Sequence, residues 1–199
     1  MLTSLRRGCR RIYHVPAALL VPLLLVAGLS TQAQSDNTSP ATVPRVGPSY
    51  LYPDPRVTPG VVNPAVTEAN IQQTICARGW TATIRPPATY TNALKHRQLA
   101  AAHAADMNPA HAEEDHLISL ELGGHPTDPR NLWPEPWGTP AHPLTARGPF
   151  PPHLVGAKSK DAVENALHRE VCAGHLTLRE AQQIIAGDWF KFYRDRLLH

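Results

Sequence analysis

Glu113-Glu114-Asp115-His116-Leu117-Ile118-Ser119-Leu120-Glu121-Leu122-Gly123-Gly124, followed by Asn131-Leu132-Trp133-Pro134, is the stretch on which the reading of this 199-residue chain turns. Leu117–Leu122 has the composition of a short strand, and Gly123-Gly124 has the chemistry of a turn after it. An acid followed by an imidazole therefore stands at the strand's mouth. Successive strand side chains point to opposite faces, so Asp115 and His116 serve one site only if the backbone bends between them. A carboxylate is a hard oxygen ligand for a divalent cation. An imidazole, with an ordinary pKa of about 6.5, takes a proton from water near neutral pH. A cation and a base together are the minimum equipment for attacking a phosphodiester.

An Asp-His pair alone carries no weight; the sequel sharpens it. Asp-His, an apolar stretch, Leu-Gly-Gly and then Asn-Leu fifteen residues after the histidine resemble the HNH endonucleases of the ββα-metal superfamily, closely over Asp115 to Trp133. The resemblance implies an α+β fold with a small ββα-metal core flanked by helices. It implies Asp115 as first metal ligand, His116 as general base and Asn131 as the residue that braces the loop between two strands. Its cofactor is a divalent ion, Mg²⁺ or Mn²⁺ first and Zn²⁺ as a further choice. Its substrate is nucleic acid, DNA ahead of RNA, cut with little sequence specificity. The chain departs from the pattern at the last ligand, because a proline-rich insertion separates Asn131 from the next helix.

That helix is expected from Lys158 to Ala173, with Val163, Ala166, Leu167 and Val171 as its apolar side and Gly174 after its end. Asp161, Asn165, His168 and Cys172 share a neighbouring face. Asn165 and His168 are the choices for the remaining metal ligand, with His168 slightly preferred. Lys158, Lys160, Arg85 and Arg97 are candidate phosphate clamps; the plainer alternative is a solvated, solubilising surface.

Further out, Trp80–Ile84 reads as a strand, and Thr91 can open a helix to about Ala105. The nine prolines between Pro126 and Pro152 predict a long loop. Thr177-Leu178-Arg179-Glu180 is a capping box, opening a final helix through Ile184, Ile185, Trp189 and Phe192. His125, His142 and His153 fall in proline-rich sequence, and His96 and His103 on a helix surface.

The N-terminal segment predicts export. Arg6, Arg7, Arg10 and Arg11 precede an apolar run from Val15 to Leu29 and a small residue at Ala33, the layout of a signal peptide over 1–33. The run is shorter than the ~20 residues of a membrane span and holds two prolines, so no stable anchor is expected after cleavage. Residues 34–66, with seven prolines, read as a disordered Pro/Ser/Thr-rich linker, and 67–199 as one HNH-like domain. Cleavage would remove four arginines and no acid. The remaining 15 basic and 16 acidic residues then leave a charge of −1, despite a whole-chain pI of 8.9. Nucleic-acid binding must therefore rest on a local basic surface.

A secreted or periplasmic location suits the cysteines. Cys9 lies in the leader, which leaves Cys76 and Cys172 as the one pair, expected as a disulfide worth on the order of 4–5 kcal/mol. The alternative function is a non-catalytic exported binding or structural module that retains an HNH-like scaffold.

Overall fold

Ala112–His116 (β1) and Leu132–Pro136 (β2) pair antiparallel, with Glu113 opposite Glu135, Asp115 opposite Trp133 and His116 opposite Leu132. The computed structural model describes residues 49–102, 108–138 and 155–198, all within the compact unit Ala41–His199. The prolines of β2 cost the ladder nothing. Main-chain bonds from Leu117 N to Asn131 O (2.8 Å) and from Trp137 N to His111 O (2.9 Å) fix the alternation of bonded and non-bonded pairs. Pro134 and Pro136 then fall opposite Glu114 and Ala112 in the non-bonded set, where no ladder donor is required. This strand lies inside the stretch expected to be all loop.

The helices are Trp80–Ile84 (α1), Ala88–Ala101 (α2), Ala157–Cys172 (α3), Leu178–Ala186 (α4) and Trp189–Arg196 (α5). Together with the hairpin they make a mixed α+β fold, and none of the described helices is long and apolar enough to cross a membrane. The faces of β1 are divided between α2 and α3. Lys95 Nζ and Gln98 Nε2 of α2 donate to the carbonyls of Ala112 and Leu132, at 2.9 and 2.8 Å. Lys160 of α3 meets Asp115. Gly156 seats α3 against the end of β2: a Cβ there would lie 2.4 Å from the Trp137 carbonyl oxygen.

Several expectations need correcting. Trp80–Ile84 is a short helix: Gly79 enters it with φ +82, Thr83 donates back to the Trp80 carbonyl at 2.6 Å, and among the described residues it pairs with no strand. Leu117–Leu122 is a bend followed by a 3-10 turn over Leu120–Leu122. Its apolar residues are buried, but Asn131 takes the main-chain groups of Ile118 that a neighbouring strand would have taken. The second helix begins at Ala88, behind Pro87, rather than at Thr91. The last helix is two, broken at Gly187-Asp188, where the Asp188 carboxylate accepts from Lys191 N at 3.1 Å and caps α5. The capping box at Thr177 and Glu180 forms as expected.

The expected linker is corrected over its second half. Leu51, Tyr52, Thr58 and Val66 are buried, and Trp189 donates its indole N–H to the Leu51 carbonyl at 3.1 Å. Burying side chains such as Leu51 and Val66 contributes about 1.5–3 kcal/mol apiece, enough to fold a proline-rich segment onto a core that has room for it. Leu51, Tyr52 and Val66 join Leu122, Val163, Leu167, Val171, Ile185 and Trp189 in one cluster. The expected signal peptide, residues 34–48 of the linker, His103, His142 and His153 lie outside the described residues.

Cys76 and Cys172 form the expected disulfide, with Cα atoms 5.6 Å apart. The bridge ties the turn before α1 to the last residue of α3.

Candidate functional site

Strand alternation sends the acids of β1 to different neighbours. Glu113 and Asp115 look toward α3: Glu113 within electrostatic reach of Lys158, Lys160 and Asp161, and Asp115 of Lys158, Lys160 and Glu164. Glu114 looks toward Lys95 and Arg97 of α2. His116 closes the strand on the Glu114 side, near Arg85. Asp115 and His116 lie within electrostatic reach of each other, but their side chains have different hydrogen-bond partners.

His116 is 5 % exposed, and its Nε2 lies 2.9 Å from the Pro126 carbonyl oxygen. A carbonyl can only accept, so Nε2 carries the proton in the neutral ring and Nδ1 keeps its lone pair. Burial pushes the imidazole below its usual value, against the opposing pull of the Pro126 bond. The ring is thus neutral near pH 7 and oriented as a base.

Asn131 holds the loop that supplies this geometry. It is fully buried; Oδ1 accepts from Ile118 N (3.0 Å) and Val61 N (3.3 Å), and Nδ2 donates to Ile118 O (3.0 Å) and His125 O (3.1 Å). All the side chain's hydrogen-bonding capacity is spent on three segments of backbone. Gly124 passes so close that a Cβ would sit 1.7 Å from the Ile118 carbonyl oxygen and 2.8 Å from Asn131 Nδ2. Leu-Gly-Gly and Asn131 are therefore one device: a tight loop packed around an amide.

Asp115 is occupied differently. Lys160 is 1 % exposed and donates to Asp115 Oδ2 (2.6 Å), to the His116 carbonyl (2.9 Å) and to Glu164 Oε1, with Glu135 Oε2 4.0 Å away. Burial pushes Asp115 upward, but the ammonium beside it outweighs this and holds the carboxyl below its ordinary range. Burial raises Glu164 and Glu113 to about 8 and Glu135 well above the carboxylate range. Near neutral pH one ammonium balances one carboxylate, and the other acids of the cluster keep their protons.

The remaining expected residues disperse. Asn165 is exposed and donates to the Asp161 carbonyl of its own helix at 2.7 Å. His168 Nε2 lies 2.9 Å from Ile75 O, and its Nδ1 lies 3.7 Å from Glu121 Oε2. These partners are not Asp115, whose carboxylate accepts from Lys160 instead. Cys76, His168 and Cys172 lie close enough together to hold a metal ion. Their sulfurs are joined in the disulfide, and metal-ligating sulfur is thiolate, so this trio becomes a ligand set only on reduction.

Of the expected phosphate clamps, Arg85 and Arg97 are exposed. Lys158 pairs with Asp161 at 3.0 Å and lies 5.0 Å above the Trp137 ring. Lys160 is corrected: it is buried, with its protons turned to protein oxygens, and does not reach a phosphate.

Sequence reasoning missed Glu135, Glu164 and Pro126. Glu135 hid in a segment read as loop. The i, i+4 spacing of Lys160 and Glu164 was a usable signal for a pair; its burial was not legible without the hairpin beneath it. Compared with known protein families, with curated proteins and with solved structures, the chain matches none.

Proposed function

We propose that this chain is an exported nuclease that cleaves phosphodiester bonds of nucleic acid with little sequence specificity, DNA ahead of RNA, and that His116 is its general base. The single observation that carries this reading is the bond between His116 Nε2 and Pro126 O, which leaves Nδ1 as the proton acceptor of a neutral ring. In the proposed reaction Nδ1 takes a proton from water as its oxygen attacks phosphorus in line; the bond from phosphorus to the opposite ester oxygen breaks, and the departing alkoxide takes a proton from solvent water. Arg85, exposed and within electrostatic reach of His116, is a cation suited to a phosphate oxygen. Asn131 is a positioning residue for the loop that carries Pro126. The antiparallel pair followed by α3 has the element order the HNH resemblance implies, and the disulfide suits an oxidising compartment.

Asp115, Asn165 and His168 have separate partners in Lys160, the Asp161 carbonyl and the Ile75 carbonyl. One observation favours the second reading, a non-catalytic exported module: Asp115 is already neutralised by Lys160. Incubation of plasmid DNA and of structured RNA with the protein, with Mg²⁺, Mn²⁺ or EDTA, separates the two. Cutting that His116→Ala lowers by about 10²-fold or more supports the nuclease. Intact substrate in every arm supports the scaffold.

A further inference from the structure

The Lys160 ammonium is enclosed by oxygen. Asp115 Oδ2 at 2.6 Å, the His116 carbonyl at 2.9 Å, Glu164 Oε1 and, farther out, Glu135 Oε2 at 4.0 Å surround Nζ, and the lysine is 1 % exposed. Acid side-chain and carbonyl oxygens gathered from a strand and a helix are the donor type that hard divalent cations select, with Asp115 as the ionised member. Here they enclose a side chain of the protein itself.

We propose that the Lys160 ammonium is a built-in cation, occupying the position between Asp115 and Glu164 that a divalent ion would otherwise take. This goes beyond the reading of His116 and stands or falls separately from it. Three features of the arrangement support the claim. The stem of Lys160 rises from α3 one turn before Glu164, so one helix supplies both the cation and one of its ligands. Lys160 also donates to the His116 carbonyl and thereby fixes the end of β1, the role that an ion bridging strand and helix would play. Finally, an ion entering the cage must displace an ammonium whose departure leaves a buried positive charge without partners, a strongly unfavourable exchange.

The test is Mn²⁺ binding, followed by loss of the free-ion electron paramagnetic resonance signal, to wild-type protein, Asp115→Asn and Lys160→Met. Methionine keeps the length of the stem and removes the charge. Wild-type protein is expected to take up no Mn²⁺ that Asp115→Asn abolishes. Lys160→Met is expected to gain one Mn²⁺ equivalent and a higher melting temperature in its presence. Wild-type uptake that disappears in Asp115→Asn overturns the proposal, as does a folded Lys160→Met that gains none. A second measurement needs no variant: the ¹⁵N resonance of the buried Lys160 ammonium should be observable near neutral pH and unchanged by excess Mg²⁺. Its disappearance or shift on adding Mg²⁺ would show the cation displacing it. Nuclease activity enters neither measurement, so failure of this proposal and failure of the His116 reading are told apart.

Discussion

The Lys160 ammonium lies 2.6 Å from the Asp115 carboxylate where α3 meets β1, with the lysine side chain 1 % exposed and the aspartate 16 %. The pair joins the helix to the hairpin and satisfies an acid that would otherwise stand buried beside Glu135 and Glu164. Surface ion pairs contribute little, but removing one partner of a buried pair strands the other.

Lys160→Ala is therefore expected to destabilise the protein by about 3–5 kcal/mol in denaturant unfolding. Asp115→Asn added to it should recover part of the loss, because the stranded carboxylate is then gone. A double variant as unstable as the sum of the singles would show that the two residues act independently.

Asn131→Ala removes four hydrogen bonds and leaves Ile118 N and O without their partner inside the core. Each stranded buried group costs about 1–3 kcal/mol, so the loss should reach several kcal/mol and appear as a lowered urea midpoint. Asn131→Asp should fail nearly as badly, since it restores the acceptor and not the donor. If either variant unfolds at the wild-type midpoint, the loop does not depend on this amide.

Much of this device was legible in the sequence. Asn131 stood out as a brace, Gly123-Gly124 as a turn, and α3 with its apolar face came within a residue of its observed start. The hairpin was half legible. Its first strand was placed on Leu117–Leu122, where apolar residues cluster, although the pairing falls on the charged Ala112–His116. A strand rich in Glu and Asp gives no hydrophobic alternation, and its partner, Leu-Trp-Pro-Glu-Pro, carries two prolines that argue against a strand until the register is known. The partner that Asp115 takes, Lys160, was not legible for the same reason. Which helix residue faces Asp115 depends on how α3 crosses the hairpin, and that crossing is set by contacts distant in sequence, such as Gly156 against Trp137.

Stability should depend on pH through Glu113 and Glu164. Both are raised to about 8 in the folded chain, against 4.5 ordinarily. Between those values the unfolded chain has lost protons that the folded chain keeps, so stability falls as pH rises from about 4.5 to about 8. Asp115 acts oppositely in acid, losing its contribution as pH drops below its ordinary 3.8, and His116, lowered by burial, acts oppositely below its ordinary 6.5, one group against the several raised acids. Melting temperature is expected to be higher at pH 5 than at pH 8, and Glu113→Gln should flatten that slope. A melting temperature that climbs between these pH values contradicts the burial of these acids.

Reducing the Cys76–Cys172 bridge, or replacing both residues with serine, should cost about 2–5 kcal/mol, read from thermal unfolding with and without reductant. The serine variant should show no further response to reductant.

The most direct measurement for the proposed chemistry is the pH dependence of DNA cleavage by the wild-type protein, run beside His116→Ala. Because burial holds the imidazole below its ordinary 6.5, the acid limb of the rate should have its midpoint below pH 6.5, where Nδ1 becomes protonated. His116→Ala should lose the bulk of the rate and the acid limb with it. A rate that ignores pH across this range, or a variant that cuts as fast as the wild type, contradicts His116 as the base.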